Sequence, residues 1–241
     1  MTIFSGHIAG VGRFEVRRLG LGSLTVPAGT PMGGTTLPVQ AFLVIHPDGM
    51  LLFDTGLGDE YPAFDRLLAP IARRSLEDAL RDANLRPPDL AAVVNCHLHY
   101  DHAGGNPLFP GVPIFVQARE YEAAGELAYL IRERIDFPGA DLRLVHGKEE
   151  VMSGMRVIPT PGHTPGHQSL VIEDTAGPVI LAGQAAYTVA EFVDPEREPV
   201  RGYKTAWDQA EFLRSVSSLR SLNPQRVYFS HDERFWDADV A

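Results

Sequence analysis

The sequence is poor in the features that mark secreted and membrane proteins. Its only cysteine, Cys96, excludes an intramolecular disulfide. No apolar stretch approaches the ~18 residues that a membrane span needs, and residues 1–12 lack the basic start and apolar block of a secretory signal. We therefore expect a cytoplasmic protein without a membrane partner. Cys96 is expected to serve as a small packing residue, and a role as a ligand is the alternative.

Clustered positive charge is also missing. The chain carries 31 acidic and 21 basic side chains, which gives a formal net charge of −10 at pH 7. Contacts to phosphate groups need clustered lysine and arginine, so nucleic acid is not an expected partner.

Length and composition predict one folded domain. With 241 residues, 44% of them hydrophobic, the chain can bury a large core, and α/β folds of this size are commonly single domains. We therefore predict a single domain over residues 1–241. The local patterns predict a hairpin around Pro47–Gly49, a capping box over Ser75–Asp78, a helix over Thr205–Leu222, and a long loop over Leu19–Leu37.

A segment rich in metal ligands follows the apolar run 91–94. This segment, HLHYDH, contains His97, His99, Asp101 and His102. The apolar run predicts a buried strand, so the ligands would lie on the loop that leaves its carboxyl end. Imidazole and carboxylate suit zinc, manganese or iron(II). The spacing lets the first two histidines bind one ion, while the last two residues point toward a second ion.

Three further segments repeat this arrangement, in which a predicted strand ends at a polar residue. His163 lies in a turn built from proline and glycine after the apolar run 155–158. Gln184 follows the apolar run 179–183, and His231 follows the run 226–230. Because this repeats, we expect the loops to gather at one edge of a sheet.

These segments together resemble the metallo-β-lactamase superfamily, whose signature is HxHxDH followed by three lone ligands, His, Asp and His. Residues 52–56 (LFDTG) match a further motif of that superfamily. Within it, the chain is most similar to the quorum-quenching N-acyl homoserine lactonases, through residues 97–106, 161–170, 185–188 and 230–232. The resemblance implies an α/β protein with an αβ/βα four-layer sandwich, and it would place the loop 19–37 over the acyl chain of the substrate.

The resemblance also implies a site for two divalent ions, zinc first, with manganese, cobalt and iron as alternatives. The expected ligands form two sets of three, namely His97, His99 and His163, and Asp101, His102 and His231. Asp101 would also accept the proton of the attacking water. Tyr187 would donate a hydrogen bond to the substrate carbonyl, or would be an ordinary half-buried tyrosine. Asp54 would orient a ligand imidazole without binding the ion itself. His167 is expected to form a hydrogen bond within its turn.

One position departs from the family pattern. The resemblance places an aspartate that bridges both ions at the end of the strand 179–183, where this chain has Gln184. A glutamine offers one neutral carbonyl oxygen instead of a carboxylate. We expect a binuclear site with Gln184 as a candidate ligand and a more weakly bound second ion, and a single-ion site is the alternative. Glu191 or Asp194 would substitute only in a shifted register.

The resemblance implies a hydrolase that opens a lactone ring, with an N-acyl homoserine lactone as the expected substrate. Two alternatives stay open within the same fold, an arylesterase and a thioesterase of the glyoxalase II type. A third, motivated by Gln184 alone, is a catalytically idle protein that binds a metal or a ligand. The oligomeric state is open, with a homodimer as one alternative.

Overall fold

Two β-sheets face each other in the computed structural model of the chain, which describes residues 3–125, 132–196 and 202–239. The first sheet contains, within these residues, β1 (Ile3–Ile8), β2 (Gly12–Thr25), β3 (Thr36–His46), β4 (Gly49–Phe53), β5 (Ala72–Arg73), β6 (Ala92–Val94), β7 (Pro113–Gln117) and β8 (Asp141–Val145). The second contains β9 (Glu149–Met152), β10 (Met155–Pro159), β11 (Gln168–Ile172), β12 (Val179–Leu181), β13 (Arg226–Tyr228) and β14 (Phe235–Asp237).

Both sheets mix parallel and antiparallel pairs. The first sheet has the order β1-β2-β3-β4-β6-β7-β8, and β5 pairs with β2. Along this order, neighbouring strands from β1 to β4 are antiparallel, and neighbouring strands from β4 to β8 are parallel. The second sheet has the order β14-β13-β12-β11-β10-β9, in which β12 and β13 are parallel. Several strands therefore bring their carboxyl ends to the same edge.

Helices lie between the strands along the chain. They are α1 (Pro62–Leu67), α2 (Leu76–Arg81), α3 (Tyr100–Ala103), α4 (Ala118–Ala123), α5 (Arg132–Ile135), α6 (Val189–Val193) and α7 (Gln209–Ser221), with 3-10 turns at Pro87–Asp89, Asn106–Leu108 and Gly202–Thr205.

Alternation along the strands explains this layering. Successive strand side chains point to opposite faces, and in β3 Phe42 and Val44 pack between the sheets while Leu43 packs in the cluster that contains the buried residues of α2 and α7. The order of layers is therefore helix, sheet, sheet, helix. The predicted four-layer sandwich is confirmed. The assignment of residues 1–241 to one domain stays a prediction.

Two local predictions hold in the structure. The hairpin around Pro47–Gly49 connects β3 to β4. The Ser75 side chain caps α2, where it accepts a hydrogen bond from the Asp78 N–H at 3.3 Å. No helix within the described residues is both long and apolar enough to cross a membrane.

Two other local predictions are wrong in their boundaries. The predicted loop 19–37 is mostly strand, because β2 continues to Thr25 and its Leu24 pairs with Leu37 of β3, so the loop covers only residues 26–35. Two of the glycines that suggested a loop, Gly20 and Gly22, flank a bulge in β2, and the other three lie in the remaining loop. Helix α7 begins after its N-cap Asp208 instead of at Thr205, which ends a separate 3-10 turn.

Candidate metal centre

The predicted site residues meet at one edge of the sandwich, where strands of both sheets end. Asp54 directly follows β4, and Cys96 and His97 follow β6. Bonds across the sheets hold this edge together. The Gln168 N–H donates to the Cys96 carbonyl oxygen at 2.8 Å, and the Ser230 hydroxyl, which follows β13, lies 3.3 Å from Asp54 Oδ2.

Three histidines, His97, His99 and His163, form what we name the first set. One ring nitrogen from each lies within 4.8 Å of the other two. His163 Nε2 and His99 Nδ1 face each other at 3.2 Å, and the two rings stand at 89° to each other. The rings therefore direct nitrogen atoms into a common space, as three ligands of one ion would.

Asp101, His102 and His231 form what we name the second set. Their ligand atoms also lie within 4.8 Å of one another. Asp101 and His102 are held by the single turn of α3, and His231 follows β13. Asp101 Oδ2 lies 3.3 Å from His102 Nε2 and 3.4 Å from His231 Nε2.

Buried atoms that lack a hydrogen bond test whether a cation fits these sets. Seven buried side-chain nitrogen and oxygen atoms lack a hydrogen bond within the described part of the chain. Four of the seven lie here, and they are His97 Nε2, His102 Nε2, His231 Nε2 and Gln184 Oε1. Leaving such atoms unpaired in a protein interior is costly. All four are electron-pair donors, so divalent ions would satisfy them.

The opposite ring nitrogens of these histidines are each held by a neighbour. His102 Nδ1 lies 2.8 Å from Asp54 Oδ2, and His231 Nδ1 donates to the Pro38 carbonyl oxygen at 2.8 Å. The partner of His97 Nδ1 is the Cys96 sulfur at 3.0 Å, and that of His163 Nδ1 is the Tyr187 hydroxyl at 3.2 Å. A partner at Nδ1 keeps Nε2 free to bind a metal.

The protonation states of the first set suit metal binding. Burial lowers the pKa of His97 and of His163 well below the usual value, and nearby imidazoles lower both further. Burial also lowers the pKa of His99 to about 4. All three imidazoles are thus neutral at physiological pH, which is the form that binds metal.

The second set is electrostatically different. Burial lowers the pKa of His231 to about 4. Burial alone would raise the pKa of the Asp101 carboxyl, but His102 and His231 hold it below its usual range. Burial also opposes the charge of His102, yet the Cys96 sulfur and the carboxylates of Asp101 and Asp54 raise its pKa well above the usual value. An ion bound at His102 would therefore displace a proton.

Asp54 anchors this edge of the sandwich. It is fully buried and adopts a left-handed backbone conformation with φ 64°. Its Oδ1 accepts the Cys96 N–H at 2.8 Å, and its Oδ2 lies 3.1 Å from the Cys96 sulfur and 2.8 Å from His102 Nδ1. The predicted contact with a candidate ligand imidazole is therefore present, and the imidazole is that of His102.

Gln184 lies at the end of the strand that the sequence indicated. Its backbone N–H donates to His167 Nε2 at 2.9 Å, while His167 Nδ1 lies 3.1 Å from the Thr160 carbonyl oxygen. His167 therefore bonds within its turn, as expected, and positions Gln184. Gly183 is required beside it, because φ is 62° and a Cβ would lie 2.6 Å from the Cys96 Cβ.

Neither candidate replacement for the missing aspartate joins the two sets among the described residues. Glu191 lies in α6, where its carboxylate accepts the Tyr187 N–H at 2.7 Å. Asp194 is the C-cap residue of the same helix. A shifted register therefore supplies no carboxylate, and Gln184 remains the residue at this position.

Tyr187 contacts one histidine of each set. Its hydroxyl lies 3.2 Å from His163 Nδ1 and 3.4 Å from Thr205 Oγ1, and its ring stacks on His231 with centroids 5.4 Å apart. Burial raises the pKa of the Tyr187 hydroxyl, which keeps its proton. Gly202 allows the following turn to lie on the ring, because a Cβ there would lie 1.9 Å from Tyr187 Cδ2.

Glu120, which the sequence did not indicate, ties two ligand loops together. Its carboxylate is fully buried, and it accepts the Leu98 N–H at 3.0 Å, the Thr164 hydroxyl at 2.7 Å and the Gly166 N–H at 3.0 Å. The loop that carries His97 and His99 is thereby joined to the loop that carries His163. A glutamate near the start of a helix is too common to have been noticed in the sequence.

Known proteins match this chain along most of its length. The family model of the metallo-beta-lactamase superfamily matches residues 34–231. An N-acyl homoserine lactonase of Bacillus sp. is 35% identical over 219 residues, which cover 84% of this chain and 84% of the relative.

Solved structures match as well. A mutant of Bacillus thuringiensis AiiA with N-decanoyl-L-homoserine bound at its active site has a TM-score of 0.76 and 29% identity, and the match covers 97% of this chain and 95% of the other. An N-acyl homoserine lactone hydrolase with N-hexanoyl-L-homoserine bound at its catalytic metal centre has a TM-score of 0.74, 29% identity and the same coverage.

Proposed function

This chain belongs to the metallo-beta-lactamase superfamily and is a metal-dependent hydrolase, and we propose that it opens the lactone ring of N-acyl homoserine lactones. One observation carries the proposal most directly. Buried electron-pair donors without hydrogen bonds converge from both sets, and Tyr187 contacts a histidine of each set. A candidate metal site and a hydroxyl group thus lie together, and this arrangement supports a role in the hydrolysis of a carbonyl compound.

The first set would hold one divalent ion, and the second set would hold another. Gln184 Oε1 would add a neutral oxygen in place of the bridging carboxylate. Nitrogen and oxygen donors of this kind suit zinc first, and manganese, cobalt and iron as alternatives. Bound here, the ions would lower the pKa of a water molecule toward neutrality and polarise the substrate carbonyl.

Asp101 would serve both as a ligand and as the group that accepts a proton. Its Oδ2 faces His102 and His231, so this oxygen would bind the second ion. The remaining oxygen, Oδ1, would take the proton of the attacking water. Burial alone would raise the pKa of this carboxyl, but His102 and His231 lower it, so the group is ionised before an ion binds.

Tyr187 would orient a ligand and bind the substrate. If Nε2 of His163 binds an ion, Nδ1 carries the proton and donates to the Tyr187 oxygen. The Thr205 hydroxyl donates to the Gly202 carbonyl oxygen at 2.7 Å, so Thr205 can only accept from Tyr187, at a long 3.4 Å. The Tyr187 proton is therefore available to the lactone carbonyl, where charge develops in the transition state.

The test is hydrolysis of a substrate panel by the purified protein with added zinc, manganese or cobalt. We expect N-acyl homoserine lactones to open to N-acyl homoserines, measured by mass spectrometry, and to react faster than aryl esters or thioesters. His99→Ala protein, treated in the same way, controls for spontaneous ring opening.

Other outcomes separate the alternatives. Turnover of aryl esters or thioesters without lactone opening would assign a different hydrolase of the same fold. No turnover of any substrate by protein with a full complement of metal would indicate a metal-binding or ligand-binding protein, which is the alternative that Gln184 motivates.

A further inference from the structure

The sulfur of Cys96 lies between the two sets of ligands. Cys96 is fully buried, and its sulfur is 3.0 Å from His97 Nδ1, 3.1 Å from Asp54 Oδ2 and 3.3 Å from His102 Nδ1. It is thus within hydrogen-bond distance of one histidine of each set and of the carboxylate between them. Core packing alone explains its burial, but it does not explain three polar neighbours.

The proton positions around the sulfur follow from metal binding by His97. His97 Nε2 is buried without a partner among the described residues, so Nε2 is the nitrogen available to an ion. A neutral imidazole that binds through Nε2 carries its proton on Nδ1. His97 Nδ1 therefore donates to the sulfur at 3.0 Å.

The thiol proton must then go to another acceptor. His102 Nδ1 already donates to Asp54 Oδ2 at 2.8 Å, so His102 cannot accept it. Asp54 Oδ2 lies 3.1 Å from the sulfur and is an acceptor. His97 thus donates a hydrogen bond to Cys96, and Cys96 donates one to Asp54. His102 donates separately to Asp54.

We propose that Cys96 is a positioning residue. Asp54 bonds to His102 directly, and the Cys96 thiol links the same carboxylate to His97. One carboxylate then fixes the tautomer and ring orientation of a histidine in each set, directly in the second set and through sulfur in the first. The inference rests on the metal ligands of the proposed function, but not on its substrate.

The surroundings of Cys96 argue against the alternative that it binds a metal directly. Its sulfur belongs to two groups whose ligand atoms lie within 4.8 Å of one another, one with His97 and His167 and one with Asp54 and His102. In the first group, His167 Nε2 accepts the Gln184 N–H at 2.9 Å, so its lone pair is occupied. In the second group, His102 Nδ1 donates to Asp54 Oδ2 at 2.8 Å, so this nitrogen has no lone pair for an ion.

The matched variants are Cys96→Ala and Cys96→Ser, which differ by one hydroxyl. Serine can both accept from His97 and donate to Asp54, whereas alanine can do neither. We expect Cys96→Ala to weaken binding of the ion held by the first set roughly tenfold to a hundredfold, as loss of such outer partners typically does. Cys96→Ser should stay within a few-fold of wild type. The readout is competition with a chelator, with zinc as the probe, and melting temperatures show whether both variants fold.

A measurement on the wild-type protein needs no variant. In zinc-loaded protein labelled with ¹⁵N-histidine, NMR should find the His97 proton on Nδ1, protected from exchange with water. A proton on Nε2 would overturn the proposal, and so would equal zinc affinities of the alanine and serine variants. A thiolate-to-cobalt charge-transfer band in the cobalt-loaded protein would also overturn it, because the sulfur would then be a ligand. None of these readouts depends on lactone hydrolysis, so they separate this inference from the proposed function.

Discussion

The two sets of ligands lie side by side but differ in charge and in support. The first set consists of imidazoles whose pKa values are lowered by burial, so it is neutral. The second set contains the carboxylate of Asp101 and a histidine, His102, whose pKa is raised. It also lies where Gln184 replaces a charged residue of the family pattern. An ion in the second set therefore competes with a proton for His102, and its site has one negative charge fewer than the family pattern.

The groups that hold the histidines in place also differ between the two sets. Side chains hold the first set, because Cys96 contacts His97, Tyr187 contacts His163, and Glu120 joins the two loops. In the second set, a carboxylate holds His102 and the backbone carbonyl of Pro38 holds His231. The positions of the side chains in a set and the charge of that set are thus separate properties. Both sets are well positioned, and the missing charge affects mainly the second.

The largest expected effect is that of His99→Ala. The first set would keep only two imidazoles, and an ion with three protein ligands would lose one of them. We expect hydrolysis to fall to the background rate and the ion of the first set to be lost, while the second set keeps its ligands. Hydrolysis assays and metal analysis of the same preparation check this.

The matched control is His146→Ala, which removes an exposed imidazole from outside both sets. This variant should keep wild-type metal content and turnover. Near wild-type turnover of His99→Ala in metal-replete buffer would contradict the assignment of the first set.

The sequence indicated the positions of the candidate ligands better than the contacts that support them. Apolar runs that stop at polar residues identified the strand ends of β6, β12 and β13, because strand burial and loop position are local properties. The roles of Glu120 and Cys96 depend on contacts between distant segments. Glu120 bonds to residues that are 22 to 46 positions away in the sequence, and Cys96 bonds to Asp54, which is 42 positions away. No periodicity encodes such distances.

The error at residues 19–37 has a different cause. Glycine, threonine and proline favour loops in general, and that composition outweighed a pattern of buried residues that includes Leu21 and Leu24. Pairing of β2 with β3 over ten positions overrides the composition. The result matters for the site, because β3 supplies the Pro38 carbonyl that holds His231.

Tyr187→Phe tests the support of the first set. It removes a hydroxyl donor to the transition state, and we expect turnover to fall roughly tenfold to a hundredfold. It also removes the partner of His163 Nδ1, so the ion of the first set should bind more weakly while that of the second set is unaffected. Steady-state kinetics and chelator competition measure the two effects. An unchanged rate would mean that Tyr187 only packs against its neighbours.

Acid should destabilise the metal-free protein. Burial lowers the pKa of His99 and of His231 to about 4, whereas an unfolded histidine titrates near ~6.5. Between these values the unfolded chain binds more protons, so the free energy of unfolding decreases as the pH falls from about 6.5 to about 4. His102 acts in the opposite sense, because its pKa is raised and its contribution is lost as pH rises.

More histidines have a lowered pKa than a raised one, so the net change in the free energy of unfolding should follow the histidines with lowered pKa values. We expect the melting temperature of chelated protein to be several degrees lower at pH 4.5 than at pH 7, since each 1 kcal/mol is worth roughly 2–4 °C in a protein of this size. Differential scanning calorimetry across this range is the measurement. A melting temperature that does not change with pH would contradict the lowered pKa values of these histidines.

The smallest expected effect on rate, and the sharpest test of the difference between the sets, is that of Gln184→Asp. The substitution returns the missing negative charge beside the second set, so the second ion should be retained longer under graded chelation and the metal count should approach two per chain. Turnover can change in either direction, because a less positive site also makes bound water less acidic. Metal stoichiometry at each chelator concentration, in both proteins, decides the matter. Two ions held with equal affinity in wild type and variant would show that the amide oxygen of Gln184 already serves as an adequate ligand or that position 184 does not contact the second ion.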